Sequence, residues 1–244
     1  MDKKKKIALF IQIGLIIILI LIAFVMGNHS NQRKKPFQEP SEIIEEPTPL
    51  KDGVDIKQIQ TAYQNTDIIG YLSIPDVLNY PIVRAADNEY YLRRLLDGTT
   101  DIKGTPFMDY RTFFEDRKIL IYGHSGESPD FPFLALHNYE QESFYLEHPT
   151  IYLYSENKKY TYEIISSYLE TQDYDYVNIN SFRGLTWLEH LEKLKGKGEY
   201  YIDLPLTEES KVLVLQTCNI ENLTITGRYR LVIGLLTKVE DNRY

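Results

Sequence analysis

The chain has 244 residues and one cysteine, which excludes an internal disulfide and any zinc site built from several cysteines. Its formal net charge of −8 argues against phosphate backbones as partners, so no nucleic acid is expected. Twenty tyrosines suit β structure, and the length allows one domain with a sizeable core plus further segments.

The N-terminus carries the expectation about compartment. A basic tail, residues 1–6, precedes IALFIQIGLIIILILIAFVMG, residues 7–27, which has one strongly polar residue, Gln12, and no charge. At 1.5 Å per residue such a run spans about 30 Å, the hydrocarbon thickness of a bilayer. The lysines are expected to stay cytoplasmic, so the rest of the chain is expected outside the cell on a single-pass anchor in the cell membrane. AFVMGNHS lacks the A-x-A-like site at which a signal peptide would be cut. Residues 28–50 are polar and proline-bearing and read as a linker, leaving residues 51–244 as the exported domain.

Within that domain, VDIKQIQTAYQNT places Val54, Ile56, Ile59 and Tyr63 near helical spacing and predicts a short helix. IIGYLSIP and NYPIVRA read as strands split by a turn around Pro75 and Asp76. NEYYLRRLL reads as one or two helical turns ended by DG. After Pro106 come the strand patterns KILIYGH, TIYLYSE, KYTYEIISSYLET, KVLVLQTC and RYRLVIGLLTKV. Helical pieces lie between them: FPFLALHNY, ESFYLEH and NSFRGLTWLEHLEKLKG. In the last, Phe182, Leu185, Leu188, Leu191 and Leu194 form a stripe, with Asn180 or Ser181 as the cap and Gly196 as the stop. TQDYDYVNIN, with Asp173 and Asp175, reads as a surface loop, since it lacks the glycine and terminal glutamate of a calcium loop. The class is mainly β with inserted helices, as a barrel or sandwich.

The lone Cys218 ends the run KVLVLQTC. An unpaired cysteine in an exported protein is either a buried small hydrophobe or a thiol kept for reaction. A nucleophile needs a partner that favours thiolate. Of the five histidines, His29 lies in the linker, His137 and His148 in helical or loop segments, and His190 on the expected polar side of its helix. His124 ends the strand KILIYGH, matching the place of Cys218 on its own strand. Two strand ends at one rim can bring imidazole and thiol together, or both residues can simply finish their strands. Arg228 and Arg230 share one face of the next strand and supply a candidate cation for an oxyanion. No residue pattern implies a nucleotide, a metal or another cofactor.

VLQTC resembles the cysteine signature of sortases, and IYGH resembles their histidine motif. The segments GYLSIPDVLNYPIVRAADNEYYL, GTPFMDYR, LIYGH and FYLEHPTIYLYS, in that order, are similar to class B members, and so is a helix-bearing insertion before the cysteine strand. The likeness runs from about Ile69 to Val239 and departs at GHSGESPDF, where class B members commonly show Asn-Met after the histidine. The resemblance implies a sortase-type β-barrel and a cysteine transpeptidase of Gram-positive bacteria. It makes Cys218 the nucleophile, His124 the general acid/base, and Arg228 the cation, with Arg230 as the alternative. It implies surface proteins or pilins bearing an LPXTG- or NPQTN-like motif as substrates, and an amine of the cell wall or of a pilin lysine as acceptor. An exported Cys-His peptidase using water and a non-catalytic anchored binding module are the rival expectations.

Overall fold

The computed structural model describes residues 53–170, 173–200, 202–218 and 229–243. The expected basic tail, membrane anchor and linker, together with Arg228, lie outside these residues. Among the described residues no helix is long and apolar enough to cross a membrane.

Helix α1 (Ile56–Tyr63) starts where the Asp55 carboxylate accepts from Gln58 N and stops where Gln64 turns left-handed at φ 50°. It buries Ile56 and Ile59 beside β1 (Ile68–Ile74). A tight turn with Asp76 at φ 61° returns the chain into β2 (Leu78–Val83), and Asp is one of the few side chains that accept that backbone. The short β3 (Phe107–Met108) runs parallel to β2 and antiparallel to β4 (Lys118–Gly123). A 3-10 segment over Leu134–Glu140 and α2 (Glu142–Glu147) lead to the hairpin of β5 (Thr150–Tyr154) and β6 (Lys158–Glu170). Helix α3 (Trp187–Gly196) then precedes β7 (Val212–Cys218) and β8 (Tyr229–Asp241). The sheet closes in the order β1-β2-β3-β4-β7-β8-β6-β5, with β5 pairing back to β1, so among the described residues every strand has a neighbour on both sides.

The two faces of the sheet explain the unbroken apolar runs KILI and VLVL. Ile119, Ile121, Leu213, Leu215 and Val232 fill the barrel with Leu72, Leu153 and Tyr162. Their neighbours Leu120, Val212, Val214, Leu231 and Ile233 face outward and are covered by Trp187, Leu191 and Leu194 of α3. Strands buried on both faces lose the alternation of a half-exposed sheet.

Helix α3 differs from the sequence expectation. Its cap is Thr186, whose hydroxyl accepts from Glu189 N while the Glu189 carboxylate accepts from Thr186 N. Asn180, Ser181, Phe182 and Leu185 precede the helix, because Arg183 and Gly184 take positive φ of 53° and 88° and break any earlier turn. His190, expected on the polar side, is buried against the Phe182 and Trp187 rings. Asp175, expected in a surface loop, is also buried and paired with Lys193 and Arg183.

Candidate active site

Strands β4 and β7 run parallel in an unbroken register from Lys118 opposite Val212 to Gly123 opposite Thr217. His124 and Cys218 are the next residues on the two strands. The ladder therefore delivers both backbones to the same rim. Gly123 is required at this point: a Cβ there would lie 2.6 Å from the ring of the buried Phe133. Phe133 N donates to His124 O at 3.0 Å, which ties the start of the following loop back to the histidine.

The His124 imidazole is half-buried, and its Nε2 lies 2.8 Å from the carbonyl of Leu92. A carbonyl only accepts, so Nε2 carries the proton and Nδ1 is the basic nitrogen. Burial pushes the imidazole below its ordinary pKa; the Leu92 contact opposes this, and the charge of Arg93 adds to it. The neutral ring is thus the resting form near neutral pH.

Beside the imidazole is a cavity of about 210 Å³ lined by Asn88, Leu92, Phe107, Tyr122, His124 and Gln216. Its polar wall is braced from behind by the fully buried Asp109, which accepts from Tyr122 Oη at 2.8 Å and Asn88 Nδ2 at 3.0 Å. Arg111 completes a two-pronged ion pair with the same carboxylate, Nε at 2.9 Å and Nη2 at 2.7 Å. Burial, the largest influence on Asp109, works to raise its pKa, yet the bonds from Arg111 and Tyr122 outweigh it and hold the acid below its ordinary value. Asn88, Asp109, Arg111 and Tyr122 carry no sign of a site role in the sequence, although AADNEYYL, GTPFMDYR and LIYGH contain them. Nothing in their spacing announces that they meet.

Arg230 is the cross-strand partner of Thr217, and Cys218 that of Tyr229. The Arg230 side chain is 5% exposed and bound to Glu199, with Nη2 3.6 Å from Glu140. Its register places it with Val232 on the side of β8 that faces the barrel interior, at the end of the lumen. Of the other histidines, His137 Nε2 lies 3.1 Å from Ser125 Oγ, and His148 caps α2 and packs on Phe144. His190 Nε2 lies 2.9 Å from the buried Lys118 Nζ, remote along β4 from His124.

No family model matches the chain. Sortase B of Listeria monocytogenes is 30% identical over 177 residues, covering 71% of this chain and 72% of that protein. A crystal structure of sortase B from B. anthracis in complex with AAEK2 superposes with a TM-score of 0.64 at 29% identity, over 80% of this chain and 88% of that one. A solved structure of sortase B from Listeria monocytogenes gives a TM-score of 0.62 at 27% identity, over 74% of this chain and 99% of that one. The eight-stranded barrel and these likenesses define a cysteine transpeptidase of the sortase class. Within that class, the chain belongs to the sortase B family.

Proposed function

We propose that the protein is a membrane-anchored transpeptidase that cuts an LPXTG- or NPQTN-like motif of surface proteins and joins the acyl part to an amine. Cys218 attacks the scissile carbonyl, forming the C–S bond, as its thiol proton passes to the basic Nδ1 of His124. The tetrahedral oxyanion is held by Arg228 and by backbone N–H groups. Collapse breaks the C–N bond, and His124 delivers a proton to the departing amine. The thioester then waits for the acceptor, an amine of the cell wall or of a pilin lysine. As that amine attacks, the basic Nδ1 of His124 takes its proton and the thiolate leaves. The acyl energy is conserved in the thioester, so no ATP and no cofactor are required.

The observation that carries this reading is the parallel register ending at Gly123 and Thr217, one residue short of His124 and Cys218. Arg230 is held by Glu199, which favours Arg228 as the cation. The anchor rests on the apolar residues 7–27. The test is mass spectrometry of the full chain mixed with a panel of sorting peptides. An acyl adduct on Cys218, absent in Cys218→Ala and discharged by a glycine-like amine to a ligated product, is the expected result. Discharge by water alone, whatever the amine concentration, would make the protein a peptidase.

A further inference from the structure

We propose that the buried Asp109 carboxylate is a positioning residue that sets which way hydrogen bonds run in the cavity beside His124, and thereby fits that cavity to a peptide amide. The inference rests on the reading of this cavity as part of the peptide cleft.

Asp109 Oδ2 accepts from Tyr122 Oη, Asn88 Nδ2 and Arg111 Nη2. Its Oδ1 accepts from the Arg111 side chain and backbone, both at 2.9 Å. A carboxylate offers about four lone-pair sites, so these contacts saturate it. Its low pKa keeps it ionised, and an ionised carboxylate only accepts. Tyr122 must therefore spend its single hydrogen on Asp109. The phenol oxygen also meets the Arg111 guanidinium, so what remains for a ligand is its second lone pair, an acceptor.

Asn88 is pinned at both ends. Nδ2 gives one hydrogen to Asp109, and Oδ1 takes the N–H of Tyr110 at 3.0 Å. An amide flip would set oxygen against carboxylate and NH₂ against N–H. The spare Nδ2 hydrogen is thus a donor of fixed identity. Gln216, on the same cavity, is oriented in the same way by Tyr176 Oη, which donates to its Oε1 at 3.2 Å and leaves Nε2 as a donor. One acceptor flanked by donors is the complement of an amide: its N–H meets Tyr122, and its C=O meets Asn88 or Gln216. Neutral Asp109 would lose this property, since Tyr122 could then turn its hydrogen to the cavity.

The test is acylation kinetics of the full chain in detergent with a cleavable sorting peptide and a series in which each backbone amide in turn is replaced by an ester, which removes one N–H. For wild type, one ester position should raise KM about threefold to tenfold, the cost of one hydrogen bond, with kcat within twofold. In Tyr122→Phe the parent peptide should already show that KM rise, and the same ester should add nothing. Asp109→Ala, which takes away the acceptor of Tyr122 and lets its hydrogen turn to the cavity, should match Tyr122→Phe, and the double variant should be no worse than either. If only Gln→Glu or Asn→Asp changes in the peptide side chains are sensed through Tyr122, the amide read is a side-chain carboxamide, and Asp109 still sets the polarity. The proposal is overturned if the two variants multiply, as independent damage to the fold would, or if wild type and Tyr122→Phe respond equally to every ester and side-chain change. Should Asp109→Ala fail to fold, an unchanged KM in Tyr122→Phe still overturns the proposal. A wild-type enzyme that forms no acyl adduct would bring down the functional reading first, whereas normal acylation with an unchanged KM in Tyr122→Phe would bring down only this one.

Discussion

The Nζ of Lys118 lies 2.9 Å from Nε2 of His190, and both side chains are buried, 1% exposed each. Lys118 also donates to the carbonyl of Asn178 at 2.9 Å. Burial is the main force pushing Lys118 down to about 7 and His190 down to about 3. Near neutral pH the histidine is an acceptor, and the pair shares one proton at most.

Stability should follow from this pair with a definite sign. Between about pH 7 and the ordinary lysine value of 10.5, the unfolded chain binds a proton at Lys118 that the folded chain does not. Stability from this residue therefore rises with pH across that window, by at most ~1.4 kcal/mol per unit, and is flat above it. His190 has the same sign between about pH 3 and its ordinary 6.5. Urea midpoints measured from pH 7 to 10 should climb in wild type, relative to Lys118→Met. Parallel curves for the two proteins would show that Lys118 is charged in the fold throughout.

The two arginines should separate cleanly. Arg228→Ala is expected to slow acylation by about 10²–10³, the cost of an oxyanion donor, without moving the melting curve. Arg230→Ala breaks the pair with Glu199 and should cost ~1–3 kcal/mol of stability. Acylation rates and thermal melts on both variants check this. A slow but fully stable Arg230→Ala would transfer the oxyanion role to Arg230.

Gly123→Ala should harm the site through packing alone. The added methyl would meet the Phe133 ring at 2.6 Å, and that ring is fully buried. Overpacking of this kind costs ~1–3 kcal/mol. The strain falls beside His124, so activity should drop well below wild type even at temperatures where the variant is folded. Phe133→Leu in the same chain should restore part of both, as read by melting and by acylation rate.

Cys218→Ala and His124→Ala test the pair itself. The first should abolish the acyl adduct. The second should lower acylation by at least ~10² while leaving the melting temperature near wild type. A His124→Ala enzyme that acylates at a large share of the normal rate would remove the histidine from the mechanism.

Much of this is legible in the sequence, for identifiable reasons. The strands announce themselves because runs such as KILI and VLVL are long, apolar and bounded by loops, and the hairpin turn announces itself at Pro75 and Asp76. His124 and Cys218 stand out because each ends such a run. The start of α3 is misplaced when a stripe of apolar residues outvotes local chemistry: Thr186 and Glu189 spell a capping box, and Gly184 sits just before it. Lys118 and His190 are illegible as a buried pair, since each is polar and they lie 72 residues apart. The same holds for Asp109 and Asn88, which meet only because β3 and the 3-10 turn at Tyr90–Arg93 are folded against β4.

The parallel pairing of β4 with β7 has a consequence for timing. Antiparallel neighbours can zip from a turn, but parallel strands must wait for the whole crossover between them. Here that crossover contains β5, β6 and α3, and β7 is further clamped by β8. Contacts of such long sequence separation form late. The histidine strand therefore emerges and pairs with β3 well before the cysteine strand reaches it. A chain caught before that point carries the His124 strand in place without its Cys218 neighbour. On the proposed mechanism, reactivity is the last property the barrel acquires, which makes thioester formation a built-in report that the molecule has finished folding.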